Sequence, residues 1–176
     1  MAVNAAELRI VKYPAAALRV KAKPIAAVTG EVREVVARMI ELMQAEKGVG
    51  LAAPQVGLDW RLFVTNAPED NGTRVYVNPE LKHVPGERER AEEGCLSIPN
   101  VHIEIERPAH VRLAATDLDG NPIAREATGY TARIWQHEID HLNGVLIIDK
   151  MTPLDKIANR KRLKELEADA KPGAFS

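Results

Sequence analysis

The chain of 176 residues contains one cysteine, Cys95, so no internal disulfide can form and no oxidising compartment is implied. Net charge is only −1, which argues against binding nucleic acid or a membrane through the surface as a whole. No apolar run approaches the roughly 18 residues that a membrane span needs. The segment Met1 to Arg9 lacks an apolar stretch of signal-peptide length and carries Glu7. A cytoplasmic protein with neither DNA nor membrane as partner is therefore expected. Internal repeats and low-complexity blocks are missing too. What is there suits an ordinary globule: 45% of residues are apolar and 28% charged, at a length fitting a single domain over residues 1–176. A chain this long buries roughly 70% of its unfolded surface, enough for a substantial core.

Three segments have helical spacing. Val32, Val35, Val36, Met39, Ile40 and Met43 form one stripe between Glu31 and Glu46, with Lys47 and Gly48 where a helix would stop. A second helix is predicted from Gly129 to Leu142, with Gly144 just past its end. A third is predicted from Pro153 to Ala168, with Thr152 as N-cap, Pro153 first and Asp155 third. Between the first two lie short β-rich runs, Arg61 to Thr65, Arg74 to Val77 and His110 to Thr116, with turns at Asn66 to Thr73 and Asp117 to Gly120. Val101, Ile103 and Ile105 alternate with His102, Glu104 and Glu106, the pattern of a half-buried strand. Helices at both ends with strands between predict an α+β fold.

The strongest chemical signal is His137-Glu-Ile-Asp-His141. Histidines four apart on a helix share one face about one turn apart, so both imidazoles can reach one metal ion. Glu138 adjoins the first and is close enough to take a proton from a water that the ion polarises. Tyr130, Ile134, His137 and His141 share one helix face, and Ala132, Trp135, Ile139 and Leu142 share another. A helix apolar on two faces is buried, and buried histidines need partners.

A catalytic metal site keeps three protein ligands and one open position. Position 147, where a metzincin would carry its third histidine, is Ile147. Glu165 and Glu167 stand where a thermolysin-like glutamate would be sought, but in a charged segment that reads as solvated. Cys95 is the remaining candidate, in the segment Glu92-Glu-Gly-Cys-Leu-Ser-Ile-Pro99, which reads as a tight loop between strand regions. By itself a lone cysteine is more often a small buried hydrophobe. In Gly48-Val-Gly-Leu-Ala-Ala-Pro-Gln55, two glycines let backbone pass close to a ligand, and Gln55 offers an amide donor beside them.

Gly48 to Gln55, Glu93-Gly-Cys-Leu-Ser97 and Gln136 to His141 together resemble the three signature motifs of peptide deformylases, in order and at similar spacing. Lys12-Tyr-Pro14, Lys21-Ala-Lys-Pro24, Val77-Asn-Pro79, Asp119-Gly120 and Leu142-Asn-Gly-Val145 extend the resemblance from about Leu8 to Leu166. It implies mixed or antiparallel sheets packed around the metal-binding helix. It implies that Cys95, His137 and His141 hold one divalent metal, Fe(II) by preference, with zinc, nickel or cobalt as substitutes. Glu138 would be the general acid and base. Gln55 and the Leu96 amide would stabilise an oxyanion, and Gly50 would offer backbone contacts. The reaction implied is removal of the formyl group from formyl-methionine at the start of new proteins, releasing formate. Val49, Tyr130, Arg133 and Ile134 are then expected to wall a methionine pocket. The chain departs from many relatives at His102, where they carry arginine or tyrosine.

Two rival readings stay open at this point. One is a metallopeptidase of another H-E-x-x-H family, which needs a third ligand other than Cys95. The other is an inactive metal-binding relative, whose closed site would need a fourth ligand such as His102. Either Glu92 or Glu93 is placed to support a ligand or an arginine. Lys156, Arg160, Lys161, Arg162 and Lys164 make the C-terminal helix basic, which suits docking on the ribosome but also an ordinary solvated helix end.

Overall fold

The computed structural model of the chain describes residues 2–170. In chain order the main elements are α1 (Gly30–Ala45), β1 (Gly50–Ala52), β2 (Leu62–Thr65), β3 (Arg74–His83), β4 (Arg88–Cys95), β5 (Ile98–Pro108), β6 (His110–Thr116), β7 (Pro122–Thr128), α2 (Gly129–Leu142) and α3 (Pro153–Asp169). The fold is α+β, as the element order predicts. Thr29 caps α1, its hydroxyl accepting from the Val32 amide. The predicted stripe turns inward as Val32, Val35, Val36, Met39 and Met43 and packs on Leu51, Leu62 and Val64. Each such side chain contributes about 1.5–3 kcal/mol on burial.

Five strands form one antiparallel sheet in the order β1-β2-β3-β6-β7, and β4 with β5 forms a separate two-stranded ribbon. Helix α2 lies between them. Its Ala132, Trp135 and Leu142 join Phe63, Tyr76, Val111 and Leu113 of the sheet. The ribbon buries Ile98, Val101, Ile103 and Ile105 against Leu18, Leu146, Ile147 and Leu166. Helix α3 begins with the expected cap: the Asp155 amide donates to the Thr152 hydroxyl at 3.2 Å, and the Thr152 amide donates to Asp155 at 2.8 Å. Gly144, just past α2, has φ of 73°, and a Cβ there would strike the Arg19 carbonyl.

Three stretches differ from the sequence reading. The strand begun at Arg74 continues through Pro79 to His83, because Pro79 falls in a register break between Val77 and Glu80 where the ladder to β6 asks for no amide, while the Asn78 amide donates to the Arg61 carbonyl at 2.8 Å. Asn78, at φ 50°, uses its amide side chain to exchange hydrogen bonds with both backbone groups of Ile25. The segment Glu92 to Cys95 is the end of strand β4 rather than loop, and only Leu96 and Ser97 form the turn. β4 is charged along its outer face, where Arg88 pairs with Glu106 and Arg90 with Glu104, both at 2.9 Å across the ribbon. Strand β7, with no apolar run of its own, is held as an edge by pairing along β6.

Candidate metal centre

α2 is helical through the H-E-x-x-H segment, so His137 and His141 stand one turn apart on the face toward the ribbon. The two Nε2 atoms are 3.1 Å apart, and Cys95 Sγ, at the end of β4, is 3.3 Å from His141 Nε2. All three donor atoms lie within 4.8 Å of one another. Bonds of about 2.1 Å to nitrogen and 2.3 Å to sulfur, at tetrahedral angles, separate donors by roughly 3.4–3.7 Å. The trio therefore fits one ion. Glu138 is 3% exposed, and its Oε2 is buried without a protein partner, as suits a carboxylate that serves an open metal position.

Electrostatics separate the two histidines. Burial, then the charge on His137, holds His141 well below the ordinary imidazole value, so it stays in the neutral form that ligates. Burial also opposes charge on His137, but hydrogen bonds with Cys95 and Glu93 outweigh it and raise His137 well above that value. Burial pushes the Glu138 carboxyl up to about 7.

Behind the donors stands a buried ion network centred on Glu93. Arg107 donates to both of its oxygens, at 2.5 and 2.9 Å, and Arg133 donates to one at 2.8 Å. His137 Nδ1 lies 3.1 Å from the other. Burial alone would raise Glu93, but its bonds from Arg107 and His137 hold it far below the carboxylate range. An ionised Glu93 makes His137 Nδ1 the donor, and Nε2 is the ring nitrogen that faces His141 Nε2. Arg107 also donates to Asp140 at 2.9 Å, so the network returns to α2. Of the two glutamates flagged in the sequence, Glu93 takes this role, while Glu92 lies on the exposed face, 3.8 Å from His102. Arg107 and the guanidinium role of Arg133 were not read from the sequence. The signal was present: Arg107 follows Val101, Ile103 and Ile105 in phase on the buried side of a strand, and a buried arginine needs an acid.

Gln55 is 1% exposed and sits in the turn after β1. Its Oε1 accepts from the Ala52 amide at 2.9 Å, which turns Nε2 toward Cys95 Sγ at 3.6 Å and Ser97 Oγ at 3.2 Å. A cleft of about 500 Å³ opens in front of the donors. Val49, Gly50, Leu96, Tyr130, Arg133 and Ile134 all line it. Tyr130 is 48% exposed at the rim, whereas Ile134 is 4% exposed and serves core and cleft together. Arg133 spends its guanidinium on Glu93 and the carbonyls of Ile105 and Glu89, so only its stem faces the cleft.

Other candidate donors fall elsewhere. The His102 side chain is 59% exposed and lines the mouth, outside the Cys95, His137 and His141 group that is the metal-capable cluster among the described residues. Glu165 pairs with Arg162 at 3.3 Å, and Glu167 accepts from the Tyr13 hydroxyl at 2.8 Å, so neither is turned to the site.

An α+β fold with H-E-x-x-H on a central helix and a cysteine beside its histidines defines a class, the metal-dependent hydrolases with one thiolate and two imidazole donors. Within that class the chain belongs to the polypeptide deformylase family, whose profile matches residues 7–157. It is 43% identical over 154 residues to a peptide deformylase of Thermotoga maritima, covering 88% of this chain and 93% of that one. A crystal structure of the Plasmodium falciparum peptide deformylase superposes with a TM-score of 0.86 at 38% identity, covering 92% of this chain and 96% of that chain. The Thermotoga maritima crystal structure gives 0.79 at 44% identity, covering 83% and 98%. Among the described residues, no helix is long and apolar enough to cross a membrane.

Proposed function

We propose that the chain hydrolyses the formyl amide of N-formylmethionyl peptides, releasing formate and a free methionine amine. Family membership supports the activity, and the single observation that carries the mechanism is the convergence of Cys95, His137 and His141 beside the buried Glu138 carboxyl. Cys95, His137 and His141 would hold a divalent ion, which would supply Lewis acidity, lowering the pKa of a water toward about 7. Thiolate and imidazole donors accept several metals, and the resemblance of the motifs to the family favours Fe(II), with zinc, nickel or cobalt as substitutes.

Glu138 accepts the water proton as oxygen attacks the formyl carbon. Charge grows on the formyl oxygen, where the Gln55 Nε2–H and the Leu96 N–H donate hydrogen bonds. Removing one such donor costs about 10²–10³ in rate. Glu138 then gives its proton to the departing amine nitrogen, and the C–N bond breaks. The unbranched methionine side chain lies in the cleft against Val49, Ile134 and the stems of Arg133 and Tyr130, while Gly50 offers its backbone. The cleft at Gly50 admits hydrogen on the acyl carbon and crowds a methyl, which favours formyl over acetyl. The substrate class makes nascent chains the partner. Docking of α3 on ribosomal RNA is the weaker reading of its Lys156, Arg160, Lys161, Arg162 and Lys164, because Asp155, Glu165, Glu167 and Asp169 nearly balance them and Arg162 is already engaged with Pro99 and Glu165, as in an ordinary solvated helix.

Formate release from formyl-Met-Ala-Ser, with acetyl-Met-Ala-Ser as control, tests the reading on protein loaded with Fe(II) or Ni(II). Turnover of the formyl peptide alone is expected. Glu138→Gln should abolish it while metal content stays full. Turnover that survives Glu138→Gln would remove Glu138 from the mechanism, and no turnover at full occupancy would remove the activity.

A further inference from the structure

A two-residue hairpin turn matches the twist of its strands best with one or both residues at positive φ. Leu96 and Ser97 join Cys95 to its cross-strand partner Ile98. Neither is left-handed: apart from glycine, the described residues with positive φ are Lys47, Asn78 and Asn100. Leu96 and Ser97 thus lack the conformation that strand twist favours in a two-residue turn, and contacts from outside the hairpin bear on its shape.

Two consecutive residues near the start of the chain, Lys12 and Tyr13, bond to this turn, and Val11 before them anchors the segment to the neighbouring Gln55. The Val11 amide donates to the Gln55 carbonyl at 2.8 Å, and the Tyr13 amide donates to the Ser97 carbonyl at 2.8 Å. Between them the Lys12 ammonium donates to the Leu96 carbonyl at 2.7 Å, across 84 positions of sequence. The outer two bonds are backbone bonds that almost any sequence can make. The middle one depends on the side chain at position 12, which also lines the cleft.

We propose that Lys12 is a positioning residue for the hydrolysis: by gripping the Leu96 carbonyl it holds the turn that carries the Leu96 amide. This rests on the deformylase reading and on the part that amide plays in it. Lys12 is exposed, so the bond contributes little to global stability, and its effect is local.

The test compares the metal-loaded chain with Lys12→Met, which keeps the stem, and Lys12→Arg, which keeps the charge. Turnover of formyl-Met-Ala-Ser and amide hydrogen exchange are both read. Lys12→Met should lower kcat about 10-fold with KM within about twofold, a share of what losing the donor itself would cost. Lys12→Arg should restore most of the rate. Exchange at residues 96–98 should quicken in Lys12→Met alone, with α1 and the melting temperature unchanged. A raised KM at constant kcat would make Lys12 a substrate contact and overturn the proposal. Unchanged kcat and exchange would overturn it too, as would protection lost throughout the fold. If the unsubstituted chain releases no formate, the deformylase reading fails instead, and the exchange rates alone decide whether Lys12 holds the turn.

Discussion

At Gly50 the cleft leaves no room for a single methyl group. A Cβ there would collide with the Glu138 carboxylate, striking Oε1 and lying 2.8 Å from Cδ, so the carboxyl would have to move. The backbone at Gly50 does not require glycine for its dihedrals, so the constraint is space alone. Gly50→Ala should therefore displace the Glu138 carboxyl while leaving the three donors in place. Displacing a catalytic group by an ångström costs on the order of 100-fold, so kcat should fall by about that much at unchanged metal content. Kinetics with parallel metal analysis would check it, and a rate within a few-fold of the parent would refute it. At this scale the sequence is highly legible. The placing of the two histidines on one face follows from helical spacing, whereas one cysteine alone reads first as a small buried hydrophobe, and Cys95 is singled out by the resemblance of its segment. Gln55 is less so, because its aim is set by the Ala52 amide, which no motif records.

Among the elements, Glu93 is where β4, β5 and α2 are locked together. Its carboxylate is buried between Arg107 of β5, Arg133 of α2 and His137 of α2. Glu93→Ala would leave Arg133 buried without an acid and Arg107 with Asp140 alone. Breaking a buried pair in this way costs about 3–5 kcal/mol, which a chain of this size should show as a fall of roughly 10 °C in melting temperature. The same change frees the His137 ring, so metal affinity should drop about 10- to 100-fold. Calorimetry and a metal-competition titration would separate the two, and a variant with parent stability would refute the network. Strand β4 explains why this was hard to read in advance. It is rich in charge and looks like loop by propensity, yet cross-strand ion pairs with Glu104 and Glu106 hold it in a ribbon. The helices were legible because 3.6-residue periodicity carries through a whole element. The edge strands were not, because their pairing partner supplies what their own composition lacks.

For the molecule as a whole, the metal would be a crosslink. Two donors come from the helix packed on the five-stranded sheet, and the third from the ribbon on its other side. An ion binding the folded chain at a concentration of 100 times its Kd adds about 2.7 kcal/mol. Loading with Ni(II) should raise the melting temperature by several degrees, and chelation with 1,10-phenanthroline should reverse it. Cys95→Ala should lose most of that shift, whereas His102→Ala should keep it. Equal shifts in both variants would mean that the ion sits elsewhere.

The separation of the donors along the chain also dictates when the centre can come into being. The thiol at 95 leaves the ribosome well before the imidazoles at 137 and 141, and domains take shape as their sequence becomes available. A translation product halted between Cys95 and His141 carries the sulfur without the imidazole pair to share an ion, and one halted earlier carries none of the three donors. Premature termination thus yields chains that cannot compete for the cell's metal through this centre.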